Sequence, residues 1–264
     1  MSPLLYLYLD QFLIFTLVLT RVGCLLMTLP VLGTATVPMQ IRALLAVAIS
    51  LVLTPLYWGL SLPPPENLLV LAPLLAREAV LGLALGLAVM ILLSGMQLAG
   101  QVISQISGLS LADVANPSFD TSIPIFSHIL EMLAVAIFFL VGGHRLVIDA
   151  LLGSFEWMPP GQGRLPDELV AALTVVTASS FETAIRASAP VMVALLLSTL
   201  IVALVSRTLP QLNAVAVGLN FNALIVLAVL GFCLGSAAWV FQEQVDGALE
   251  IVTESFHPPA SERP

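Results

Sequence analysis

Three glutamines, Gln97, Gln101 and Gln105, recur every fourth residue in an uncharged stretch, which sets their amides on one ridge of a helix. Unpaired amides facing hydrocarbon are costly, so this ridge must look at protein or water. Two readings follow: hydrogen-bonded glue between helices, or the wall of an aqueous translocation path. Beside the amides runs a second ridge of Gly100, Ser104, Gly108 and Ala112, whose small side chains let another backbone approach closely. Gly82-x-x-x-Gly86 and Gly231-x-x-x-Gly235 repeat that close-packing signal, and three such surfaces favour an assembly subunit over a lipid-solvated monomer. The amide ridge runs into Asp113-Val-Ala-Asn116-Pro117-Ser118-Phe119-Asp120-Thr-Ser-Ile-Pro124, an ordered loop by its Asn-Pro and Pro punctuation. Such a loop is either a plain connector or the gate of the path.

Other residues offer catalytic or ligand chemistry on weaker patterns. Gly108-Leu109-Ser110-Leu111-Ala112 mimics a serine-nucleophile motif, but no spacing sets His128 or His144 beside Ser110 as a base. His128, Glu131, His144 and Asp149 match no metal-ligand spacing, and no metal or cofactor is expected. Glu182 and Arg186 sit at i and i+4, a self-neutralising pair more readily than a proton relay. Cys24 and Cys233 lie inside apolar runs and read as free packing thiols.

These residues sit on elements of one kind. Of 264 residues, 59% are hydrophobic and only 9% charged, against roughly 25% charged in a soluble domain. That excludes an ordinary soluble enzyme and a disordered chain. A formal charge of -8, with eight Arg and no Lys, excludes a phosphate-backbone binder, so no nucleic acid is expected. The N-terminus has no basic leader region and reads as a retained first helix. Charge-free runs predict helices at 4–29, about 43–60, 79–112, about 122–152, 168–206 and 208–242, with a separate acidic amphipathic helix at 243–256 carrying Glu243, Asp246, Glu250 and Glu254. The runs 79–112 and 208–242 are too long for one bilayer crossing. They must tilt, break, or stand against other apolar protein, and Pro210 and Gly218 are the expected break in the last. The fold class is all-α, a polytopic membrane-type helical protein.

Five short motifs, in order, resemble the FliR family of flagellar type III export gates along about 10–255. They are Val37-Pro38-x-x-Ile41-Arg42-Ala43, Gly95-Met96-Gln97-x-Ala99-Gly100, Gly108-Leu109-Ser110-x-Ala112, Gly143-His144 followed by Ser154-Phe155, and Arg207-x-x-Pro210-Gln211-Leu212-Asn213-x-x-x-Val217-Gly218. The resemblance implies a non-enzymatic subunit of the bacterial inner membrane and flagellar basal body, assembled with FliP and FliQ, working with FlhB and FlhA, and passing unfolded flagellar proteins. It implies one domain over 1–264: a FliP-like part at 4–157, a FliQ-like hairpin at 167–256 and a disordered tail at 257–264. It places the channel plug on Gly108, Leu109, Ser110, Leu111, Asp113, Asn116, Pro117, Ser118, Phe119 and Asp120. Packing and assembly fall on Gly82, Gly86, Gly100, Ser104, Arg207, Pro210, Gln211, Asn213 and Gly218. The family's Asp-Pro is Asn116-Pro117 here. Its Gly-Phe-Pro-Leu is Gly218-Leu219-Asn220-Phe221-Asn222, which moves the expected hairpin break onto Asn220 and Asn222. The alternatives from the residues are a secondary transporter and an intramembrane serine protease. Ser110→Ala tests the protease: swimming at the unmodified rate is expected, and loss of motility with the protein still assembled would revive it.

Overall fold

The computed structural model describes residues 3–30, 37–60, 67–108, 124–162, 166, 168–208 and 214–255. Among them the chain forms α1 (Pro3–Thr28), α2 (Met39–Leu53) continued by a 3-10 turn at Thr54–Tyr57, α3 (Leu68–Ser107), α4 (Ile125–Val141), α5 (Gly143–Trp157), α6 (Leu169–Thr208) and α7 (Ala214–Glu254). No strand occurs among the described residues. Five helices are long and apolar enough to cross a membrane, or up to six if the bent pair α4–α5 counts as one span.

The chain divides into two compact units: residues 1–91, 142–177 and 247–264, and residues 92–141 and 178–246. In the first, α1 buries Leu13, Ile14, Leu17, Val18, Val22, Leu25 and Leu26 on one stripe, with Arg21 in its middle. The stripe meets α3 at two glycines. A side chain at Gly82 would overlap the Arg21 carbonyl, and one at Gly86 would overlap Thr28. Both helices advance together from Arg21 to Thr28 and from Gly82 to Gly86, so they run parallel. α2 packs against α1 and buries only Ala46, Ser50 and Leu53. α5 buries Val147, Ala150, Leu151, Ser154 and Phe155.

In the second unit a side chain at Gly95 would strike Ser180 of α6, and one at Gly100 would strike Phe126 and Ser127 of α4. α4 buries Phe126, Ser127, Leu130, Ala134, Ile137 and Phe138. α7 buries Val226, Leu230, Ala237, Phe241 and Val245, a seam one residue wide at the three-and-four spacing of a coiled coil.

Four expectations need correction. α3 begins at Leu68, not at 79, because Arg77 and Glu78 lie inside the helix and Glu78 has a buried partner. The run 122–152 is two helices, parted at Gly142, whose φ of 86° lies in the left-handed region. α7 passes through Gly218, Asn220 and Asn222 without a break and includes 243–254, so no separate acidic helix exists there. One glycine inside a helix costs only about 1 kcal/mol, which cannot interrupt so long an apolar ladder. The Gly82–Gly86 face is used inside the chain, while Gly231 and Gly235 have nothing within 4 Å.

The two glycine pairs should therefore respond oppositely. Gly82→Val is expected to lower stability by about 1–3 kcal/mol, because the clash is with backbone. Gly231→Ala is expected to be neutral or to add up to about 1 kcal/mol of helix propensity. Thermal melts in detergent check this, and equal midpoints would refute the packing assignment.

Candidate functional site

Two places concentrate polar chemistry. The first is Arg21, fully buried on the α1 stripe in the first unit. A charge there requires partners on every side. Its Nε donates to Glu78 Oε2 of α3 at 2.7 Å. Nη1 donates to the carbonyl and Oγ of Ser154 at 2.9 and 3.1 Å, and Nη2 to the Met158 carbonyl at 3.0 Å. The guanidinium stands 4.1 Å over the Phe155 ring, and that ring meets Tyr57 at 5.7 Å. Glu78 uses its other oxygen to accept from the Gly161 N–H at 3.0 Å, in a turn where Gly161 has a φ of 77°. One ion pair thus ties α1, α3, the end of α5 and the 158–162 turn together.

Nothing in the reading of motifs singled out this network, although Ser154 and Phe155 were among the matching residues. The signal was available in the spacing. Arg21 falls on the i, i+4 row of Leu13, Leu17 and Leu25, and a charge on a buried row demands a counter-charge.

The second place is the end of α3 in the second unit. Met96, Ala99, Gly100, Ile103, Ser104 and Ser107 are buried on one face. Gln97 and Gln101 are half-buried and Gln105 is exposed on another, and none of the three amides bonds to another described residue. The small ridge therefore faces inward onto α4, and the amide ridge faces out of the chain. The Ser104 hydroxyl is buried at this crossing without a hydrogen-bond partner, as is that of Ser127.

α3 ends at Gly108, whose φ of 77° turns the chain out of the helix. The last carbonyls, which lack helical donors, are met individually. Ser104 O accepts from the Ser107 hydroxyl at 2.9 Å and Gln105 O from the Gly108 N–H at 3.2 Å. Ser107 O accepts from Asn222 Nδ2 of α7 at 3.3 Å. Asn222 Oδ1 in turn accepts from the Ser198 hydroxyl of α6 at 2.7 Å. Asn222 is thus a bridge between helices, where a hairpin break was expected. At the other side of the segment, Pro124 O accepts from Ser127 N and starts α4.

The remaining expected residues separate. Leu109, Ser110, Leu111, Asp113, Asn116, Pro117, Ser118, Phe119 and Asp120 lie outside the described residues, as do Pro210, Gln211, Asn213 and the tail 257–264. Arg207 is exposed in the last turn of α6. A side chain at Gly218 would make an ordinary contact with Val202, so this position is not a close crossing. Glu182 and Arg186 pair with each other at 2.6 Å, about half exposed. His128 and Glu131 stand 3.9 Å apart at the surface of α4. Among the described residues no three His, Cys, Asp or Glu side chains converge as metal ligands, and Cys24 and Cys233 are free thiols.

Residues 12–248 match the family described as bacterial export proteins, family 1. The flagellar biosynthetic protein FliR of Caulobacter vibrioides is 31% identical over 238 residues, covering 90% of this chain and 94% of that one. The chain belongs to the FliR family of bacterial export proteins. FliR of Bacillus subtilis is 29% identical over 232 residues, covering 85% and 87%. The secretion system apparatus protein SsaT of Salmonella typhimurium is 22% identical over 158 residues, covering 60% and 61%. The family match spans both the Arg21–Glu78 network and the Asn222 bridge, so both belong to the export-protein fold of this chain.

The Arg21 network yields a sign test. Arg21→Met should cost about 3–5 kcal/mol, because it strands the Glu78 carboxylate in an apolar core. Arg21→Met with Glu78→Leu should recover most of that loss. Detergent melting midpoints check the pair, and a double variant no better than the single would show that the stranded charge is not the cause.

Proposed function

We propose that this chain is a core subunit of the flagellar type III protein export gate in the bacterial inner membrane. In this reading it lines the channel for unfolded flagellar proteins, and its segment 108–124 seals that channel at rest. The single observation that carries the reading is the amide ridge. Gln97, Gln101 and Gln105 face out of the chain without partners among the described residues, and their row ends at the helix terminus from which the segment departs. Lipid cannot satisfy three amides, whereas a neighbouring gate subunit or a hydrated channel can. The names of the relatives, flagellar biosynthetic protein and secretion system apparatus protein, support the same assignment.

FliP, FliQ, FlhB and FlhA are the partners this function requires, with 4–157 in a FliP-like role and 167–256 in a FliQ-like one. The chain itself performs no bond chemistry in this reading and acts as a conduit wall. A secondary transporter would present ionisable groups to its solute at broken helices. The Arg21–Glu78 pair is instead committed to protein groups within its own unit.

Deletion of 109–123 should raise the ion conductance of the purified, reconstituted gate, and an unchanged conductance in a correctly sized complex would sink the sealing role. Gln101→Leu should cut export of flagellar proteins several-fold while the complex still assembles. Lost assembly with export per assembled gate unchanged would return the ridge to structural glue.

A further inference from the structure

The hydroxyls of α6 mostly turn back onto their own helix: Thr174, Thr177, Thr183 and Thr199 each donate to the carbonyl four residues earlier. Ser198 instead donates outward, to Asn222 on α7. That bond orients the Asn222 amide, since an oxygen held by Ser198 leaves the NH2 group to point the other way. It points at Ser107 O, a terminal carbonyl of α3 that the helical ladder leaves open. Asn222 also heads the buried seam of α7, four residues before Val226 and eight before Leu230. Its place is therefore set by packing as well as by the hydroxyl.

We propose that Asn222 is a positioning residue for the gate. It acts through the Ser107 carbonyl, pinning the departure point of segment 109–123 to the α6–α7 pair, so that the resting position of the segment depends on where α7 lies. This rests on the sealing role given above to the segment. The pin is a property of this chain's Gly218-Leu219-Asn220-Phe221-Asn222 stretch, and its partner specificity follows from amide chemistry. The group at 222 must accept from one hydroxyl and donate to one carbonyl, which an Asn does with its two ends.

The test uses the purified gate reconstituted in vesicles, with ion leak measured for the unmodified complex, the 109–123 deletion, Asn222→Leu and Ser198→Ala. Asn222→Leu keeps the apolar seam and removes both hydrogen bonds. Its expected leak is about fivefold above rest, the shift in a closed–open equilibrium for the loss of one net hydrogen bond, and no higher than that of the deletion. Ser198→Ala should leak less than Asn222→Leu but above rest, and it stands in if Asn222→Leu fails to assemble. A spin label at Ser110→Cys, with Cys24→Ser and Cys233→Ser, should gain mobility in either variant, a signature that altered packing of α7 alone would not give. A leaking deletion with resting leak and unchanged label mobility in both variants overturns the pin and leaves the sealing role standing. A deletion that does not leak overturns the sealing role and the pin with it.

Discussion

A guanidinium sealed inside apolar helices is the constraint on which the first unit depends. Arg21 cannot be left without a counter-charge there, and one carboxylate does not saturate its fork of donors. Glu78 takes Nε, and the carbonyls of Ser154 and Met158 take the two terminal nitrogens. Each demand determines a neighbour. The carboxylate brings α3 parallel to α1, Gly82 is needed where the Arg21 carbonyl touches α3, and the end of α5 must stop at Met158 to offer its carbonyl. The turn then closes at Gly161, in a backbone region that favours glycine, so that its N–H reaches the remaining carboxylate oxygen.

The second constraint is length. α3, α6 and α7 have 40, 40 and 41 residues, about 60 Å each against a hydrocarbon core of about 30 Å. The most apolar stretch of α3 is 61% buried within the chain, whereas those of α6 and α7 are 22% buried. α3 is thus a central element with its needs met internally. α6 and α7 keep wide apolar faces, including Leu196, Leu197, Leu200, Leu224 and Phe232. Part of that surface exceeds what one bilayer crossing can cover, which fits a subunit whose surroundings are other apolar helices as well as lipid.

The end of α3 joins these two themes to function. Its inward face is narrow enough at Gly100 for α4 to touch backbone, and its outward face carries amides that the chain leaves open. A helix that is packed on one side and polar on the other, terminating at a left-handed glycine, is a mechanically defined base for a segment that must hold one position at rest. The terminal carbonyls are held by a side-chain hydroxyl, a turn amide and an asparagine from a distant part of the chain, so the base is tied to the rest of its unit.

Composition and periodicity alone determined the all-α class, the membrane-type helices, the amide ridge and the Glu182–Arg186 pair, because each is a local property of spacing along one helix. Counting charge-free runs mislaid the start of α3 and merged α4 with α5. A charge ends a run on paper but not in a helix when a buried partner neutralises it, and no count of charges registers the positive φ of Gly142. The same limit hid the Arg21–Glu78 pair, whose members lie 57 positions apart. It also hid the bridge from Asn222 to Ser107, which spans 115. The Gly82–Gly86 and Gly231–Gly235 motifs read alike in one dimension, yet the first is filled by α1 and the second is open. A local pattern states what a residue requires; only the tertiary structure decides which distant group supplies it, because close approach and hydrogen bonding depend on positions in space that sequence separation does not encode.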